Sequence, residues 1–427
     1  MGDNRGNLCY TICVNLCDSV GDAQNAPIYD LKGGFPLKYW RGYLTAAIFG
    51  AITWVLMQMA DKYATLVDMV YPYVTRSIQS FLTAWTSGFE FCVWQVLVLV
   101  LAVIVLATLV LVFVFKGSLV QWLGWVLAGV SILYCLHTGI YGLNYHAGPI
   151  EDDLRLTMVD YTQSELEEAV TFYRDKANAI AVQLPRDEQG IVVYSDFEDL
   201  AERAGSGFRN LILNRSFSIY GGDYTPVKKL GWASMYSSMG ITGFTSFLTG
   251  EAAVNPQIPA VCQPFTICHE MAHRLCVAPE DAANFSAYLA CEASVSREFQ
   301  YSGYFMAFRY CFSALQQVDS VAAARIMDGC VKELKWDLDH YNQFFSSRKD
   351  EKATKLANNV NDTYLKTSGD ADGIASYGAV CDYLVNWYLS DHAVEEEVEV
   401  EFDPYDEDQV DLSGIANAKP RETEPAA

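Results

Sequence analysis

The sequence predicts a membrane-anchored α+β protein: three membrane-crossing helices followed by a mostly helical domain that carries a small β-sheet. Three observations lead there. Long uncharged runs are confined to the first third of the chain. Helical periodicity dominates between residues 146 and 392. One stretch, residues 227–254, interrupts it with Gly, Ser, Thr and aromatic residues, as short strands and tight turns do.

The spans come first in the chain. Residues 42–60 are uncharged between Arg41 and Asp61, and residues 91–115 between Glu90 and Lys116. Residues 119–141 follow after a short turn. Each run is near or above the roughly 20 residues that a helix needs to cross hydrocarbon. Trp40, Trp122 and Trp125 suit the headgroup level. The first run starts too late, with too little basic flank, for a cleaved signal peptide. Between the first two runs, Val70, Val74, Ile78, Phe81, Leu82 and Trp85 recur near helical spacing, which fits a helix on the membrane surface. Arg5, Lys32, Lys38 and Arg41 precede the first span and only Lys62 and Arg76 follow it, so the N-terminus is expected in the cytoplasm. Three spans then place the domain outside. The expected division is 1–41, a cytoplasmic segment; 42–145, the transmembrane region with three helices; 146–393, the outer domain; and 394–427, an acidic tail.

Acidic residues outnumber basic ones 52 to 29, a net charge of −23, which argues against nucleic acid or an anionic lipid surface as the main partner. Much of that charge lies in the tail, whose low content of large apolar residues reads as disorder. No CxxC pair occurs among the twelve cysteines, so neither a zinc ribbon nor a redox motif is indicated, and buried free thiols are expected. Cys9, Cys13 and Cys17 repeat every fourth residue on one helical face.

In the domain, "TQSE" (162–165) and "SDFE" (195–198) fit capping boxes that open helices. "TGEAAVNPQIPA" (249–260) reads as the exposed edge strand of the sheet, stopped by Pro256 and Pro259. An edge strand can hold a peptide by strand addition.

The chemistry concentrates in "PFTICHEMAHRLCVAPEDAANFSAYLAC" (264–291). His269 and His273 share a helix face and can present imidazole nitrogens to one metal ion. Glu270 lies about 100° around the helix, beside the metal rather than on it. Zinc acidifies water, and a neighbouring carboxylate can move its proton, so HExxH carries a hydrolytic mechanism. A catalytic zinc takes three protein ligands. Glu280 and Asp281 are the candidates for the third, at the start of a helix opened by Pro279. Asn284, one turn beyond Glu280, suits a hydrogen bond to a ligating histidine; Asp281 has only Phe285 at that position, so Glu280 is preferred. Residues 274–278 must reverse the chain without a glycine. His137 and His146 lie near the third span and read as structural, and His340 and His392 have no partners that indicate chemistry.

These motifs resemble the gluzincin metallopeptidases, where HExxH is followed by an ExxAN or ExxAD helix. The chain is similar to an uncharacterised bacterial family of three-span membrane proteins with an HExxH zinc-peptidase-like domain. "GLNYHAG", "GITGFTSFLTGEAAVN", the 264–291 stretch and "NDTYLKTSGDADGIASYGAVCDYLVNWY" carry that resemblance, which covers residues 44–388. It implies a zincin-like outer domain in the bacterial cell membrane, with Zn2+ held by His269, His273 and Glu280, and Glu270 as general base. Tyr377 fits either oxyanion stabilisation or a core position. Three positions depart from the family pattern: Gly is expected at Cys276, Glu at Ala282 and a basic residue at Ala379.

The expected function is a membrane-anchored zinc metallopeptidase acting on a peptide or protein. The alternative is a zinc-binding membrane sensor, or a peptide or cell-wall binding protein, without turnover. A transporter fits less well, because the spans carry no carboxylate or basic residue.

Overall fold

The structure, a computed structural model, describes residues 37–370 and 376–398. Cys9, Cys13 and Cys17 lie outside the described residues, as does the tail beyond Val398.

The chain opens with α1 (Leu37–Lys62), α2 (Ala64–Thr86), α3 (Val93–Val114) and α4 (Leu119–Ile140). Three of these, α1, α3 and α4, are long and apolar enough to cross a membrane. Helix α1 lies along α4 in the same direction. Near their starts the Tyr43 hydroxyl donates to the Val120 carbonyl at 2.9 Å. Near their ends His146 meets Asp61 at 2.7 Å. The backbones touch where Gly42 faces Gly124, and a Cβ on Gly42 would collide with the Gly124 carbonyl. Small residues let membrane helices approach this closely. Helix α3 runs the opposite way, and residues 115–118 turn it into α4.

Helix α2 is the helix that the spacing of Val70 to Trp85 predicts. Its polar face is the one it buries: Thr75, Arg76, Gln79, Thr83 and Thr86 point into the protein. Arg76 donates to the carbonyls of Ser218, Ile219 and Gly221. Gln79 donates to the Phe247 carbonyl, Thr83 to Gly250 and Thr86 to Thr249. Each pairs a buried polar group that unpaired would cost about 1–3 kcal/mol. The apolar side chains Val70, Val74, Phe81 and Trp85 face outward.

After a short helix, α5 (Ile150–Leu154), the domain is built from α6 (Gln163–Ala181) and α7 (Phe197–Arg215). Helix α6 opens on the Thr162–Glu165 capping box. The second predicted box is displaced by one residue. Asp196, not Ser195, caps α7 by accepting from Asp199 N–H, while the Ser195 N–H is taken by Glu298. The sheet follows: β1 (Lys228–Lys229), a short helix α8 (Ala233–Ser238), β2 (Gly243–Ser246) and β3 (Glu251–Val254). Its order is β1-β3-β2, with β3 parallel to β1 and antiparallel to β2. The expected edge strand is therefore corrected: residues 251–254 form the buried central strand, and β2 is an edge. Pairing of Lys228 with Ala253 covers the side that the sequence left open.

Helices then continue to the end of the described chain: α9 (Gln263–Arg274), α10 (Glu280–Glu292), α11 (Arg297–Val318), α12 (Ser320–Asp328), α13 (Lys332–Arg348), α14 (Glu351–Ser368) and α15 (Ser376–Val398). Helix α15 extends into the first residues read as tail. Helix α10 is the core of the domain, buried along nearly its whole length among α7, α9, α11 and α15.

Sheet and spans are joined at one acid. Glu251 of β3, almost fully buried, accepts from the N–H groups of Val93 and Trp94 at 2.8 and 2.9 Å. These are two of the donors that the first turn of α3 leaves unpaired, and the carboxylate also opposes the positive end of the helix dipole. Lys228 pairs with it at 2.7 Å and donates to the Thr86 and Phe91 carbonyls. Glu251→Ala is expected to cost about 3 kcal/mol, because it strands a buried ammonium. The Glu251→Ala, Lys228→Met pair is expected to cost less than the single change. Denaturant unfolding in detergent checks both.

Candidate metal centre

Helix α9 carries Pro264 in its first turn and packs against β2, β3, α10 and α11. His269 and His273 stand one turn apart, and their Nε2 atoms are 3.1 Å from each other. Glu280, the first residue of α10, brings its Oε2 to 3.3 Å from His269 Nε2 and 3.4 Å from His273 Nε2. The three atoms form a near-equilateral triangle. Bonds of about 2.0–2.1 Å at tetrahedral angles put neighbouring donors about 3.3 Å apart, so the triangle has the size of one face of a zinc site. All three side chains are about nine-tenths buried, and Glu280 Oε2 has no hydrogen-bond partner. The residues present thus fit a zinc ion. Among the described residues this is the only such cluster of three potential ligands. Asp281 turns away from it and accepts from its neighbour's N–H, Ala282.

The reversal that brings Glu280 back is a glycine-type helix ending made without glycine. Cys276 takes φ +72°. Its N–H bonds to the His273 carbonyl and the Val277 N–H to Ala272, the paired hydrogen bonds of a left-handed helix cap. The same turn orients a ligand. His273 Nδ1 lies 2.9 Å from the Val277 carbonyl, so Nδ1 donates there and Nε2 keeps its lone pair for the site. That carbonyl orients His273; His269 Nδ1 is buried with no hydrogen-bond partner in the protein. Asn284 is buried one turn along α10, where its Oδ1 accepts from the Tyr310 hydroxyl at 3.4 Å and its Nδ2 has no partner in the protein.

Glu270 is buried beside the triad. The Thr245 hydroxyl of β2 donates to its Oε2 at 2.7 Å. Gly243 of β2 lies so close that a Cβ there would overlap the Glu270 carboxylate. Burial raises the Glu270 pKa, against the pull of the two histidines and Thr245. Tyr377 belongs to α15, but its side chain lies outside the described residues.

A membrane span supports the centre from the other side. Tyr141 directly follows α4, is fully buried, and donates its hydroxyl to the His273 carbonyl at 3.0 Å. Its ring stacks on Phe247 with centroids 3.7 Å apart. Thr245, Gly243, Val277 and Tyr141 escaped the sequence reading. Gly243, Thr245 and Val277 sit inside quoted motifs and Tyr141 just before one, but nothing in their sequence context marks these contacts.

Without metal, burial works to lower the His273 pKa, but the Glu280 carboxylate overrides it and holds the value at about 9. Burial likewise disfavours the Glu280 charge, but His273 and His269 keep its pKa well below the usual carboxylate range.

A helical protein with three apolar helices and a buried His-His-Glu centre is the class that fold and site define. The chain belongs to the family described as protein of unknown function (DUF3810), whose model matches residues 67–385. The match takes in the sheet, the His-His-Glu cluster and two of the apolar helices, and begins after α1, later than the 44–388 expected. No curated protein and no solved structure matches the chain.

Two outcomes follow from this geometry. A divalent ion must displace the proton that His273 holds up to about pH 9, so zinc affinity rises as pH rises toward that value and binding releases a proton. Calorimetry in buffers of different ionisation enthalpy measures the release. Cys276→Gly is expected to be more stable than Cys276→Ala by about 1 kcal/mol, because glycine relieves the left-handed strain that alanine keeps. Parallel unfolding curves decide it.

Proposed function

We propose that the protein is a membrane-anchored zinc metallopeptidase with a gluzincin-like centre, in which His269, His273 and Glu280 hold Zn2+ and Glu270 is the general base. The observation that carries this reading is the triangle of donors at 3.1–3.4 Å with a buried carboxylate on the adjoining residue. A bound zinc supplies Lewis acidity, which makes water a nucleophile near neutral pH and polarises a carbonyl.

The chain supplies the rest. Thr245 fixes the Glu270 carboxylate through Oε2, which leaves Oε1 to take a proton from attacking water and pass it to the leaving amine. Burial favours this, since a carboxyl with a raised pKa can release the proton again. Strand β2, at the sheet edge beside Glu270, is the place for an extended peptide to add by main-chain pairing. The parallel course of α1 and α4, with α3 opposed, supports a chain that begins on one side of the bilayer and carries its domain on the other. Together with the basic N-terminal flank, this favours a cytoplasmic N-terminus and an outward-facing centre in the bacterial cell membrane.

The purified protein is expected to hold about one zinc per chain, and His269→Ala and Glu280→Ala to lose it. Glu270→Gln is expected to keep the metal and lower peptide hydrolysis by about 10²- to 10⁴-fold. Full zinc content with no turnover in the parent would favour a binding protein instead. A parent that takes up no zinc at neutral pH would end both readings.

A further inference from the structure

Helix α2 is amphipathic in an unusual sense: protein covers its polar side, while Leu66, Met69, Tyr73, Phe81 and Trp85 are exposed. The two ends of the helix say what covers them. Tyr63 alone separates α2 from the end of α1, and residues 87–92 separate it from the start of α3. Those two ends lie on the same side of the helix bundle. The α1 end is tied to residue 146 through His146–Asp61, next to the end of α4, and the α3–α4 hairpin brings the α3 start to that same level. A helix of 23 residues is about 34 Å long and cannot leave and return to one membrane face unless it lies along that face. The apolar side therefore rests in lipid at the headgroup boundary, and the polar side carries the domain.

This sets the height of the metal centre. Tyr141, the first residue after a span, bonds directly to the backbone of His273. Thr245, which holds Glu270, is two residues from Phe247, whose carbonyl accepts from Gln79 of α2. Two residues of strand cover about 7 Å. The exposed ring of Phe244 on β2 packs on Trp94, in the first turn of α3, at 4.6 Å between centroids. The open strand beside the centre therefore starts where a span enters lipid.

We infer that the centre acts at headgroup level on polypeptide anchored in the same bilayer, which enters along β2 as it leaves the lipid. This rests on the peptidase reading. The full-length, zinc-loaded protein is reconstituted in vesicles of phosphatidylethanolamine and phosphatidylglycerol. One quenched fluorescent peptide is presented on a lipid anchor through spacers of increasing length, and also free in solution. Bonds within about three extended residues, ~10 Å, of the anchor are expected to be cut fastest. Their rate should exceed that of the free peptide by on the order of a hundredfold.

The Phe81→Glu, Trp85→Glu variant, with zinc content unchanged, should lose the preference for short spacers and still cut the free peptide. Cleavage that requires long spacers, or a preference that survives in the variant, overturns the inference and leaves the peptidase reading standing. No cleavage of any probe, free peptide included, removes the peptidase reading and this inference with it.

Discussion

Three lone pairs aimed into one space of about 3.3 Å edge are the constraint on which the rest of the domain depends. Two imidazole nitrogens and a carboxylate oxygen at these distances repel one another unless a proton or a cation lies among them. Burial magnifies that repulsion by removing water. The arrangement persists because two consecutive helices are fixed at their shared turn. The left-handed Cys276 sets the reversal, and Val277 closes the turn with its N–H while steering His273 with its carbonyl. Helix α10 cannot yield, because α7, α9, α11 and α15 enclose it.

That rigidity extends into the apolar helices. Glu251 ends one of them and belongs to the central strand of the sheet; Tyr141 ends another and bonds to the backbone of His273. Arg76, Gln79, Thr83 and Thr86 bind α2 to six main-chain carbonyl groups, in residues 218–221 and 247–250. Each contact is a polar group removed from water and paired in the domain, so separating helices from domain would expose several of them at once. The two parts form one packed body.

Much of this was legible in the sequence, for identifiable reasons. Uncharged runs near 20 residues need no tertiary information to read, nor does a histidine pair one turn apart. Glu280 was legible because Pro279 fixed the helix start and so the direction of the first acidic side chain. The misreadings share a cause: they depend on partners distant in sequence. A two-residue β1 has no periodicity to detect, so nothing local marked β3 as central. Ser195 and Asp196 are both good caps, and only the bond from the Ser195 N–H to Glu298 decides between them. Apolar spacing revealed α2 as a helix, but not that its polar side meets protein. The Val277 carbonyl that orients His273 was likewise out of reach, because a main-chain carbonyl has no signature in sequence.

The link between span and domain has a further consequence. Only Tyr141 to Pro149 connect α4 to α5, and most of that stretch is itself in a 3-10 turn with Tyr141, Leu143 and Asn144 buried. A flexible linker would let the centre sample many heights above lipid. Here side chains packed as firmly as the core fix the centre relative to α4 and α2, including the Asn144 contact with Thr75 of α2. On the peptidase reading, a centre held this way selects bonds by their distance from the membrane. Its specificity then lies partly in the length of chain between anchor and bond, and less of it has to come from pockets that recognise side chains.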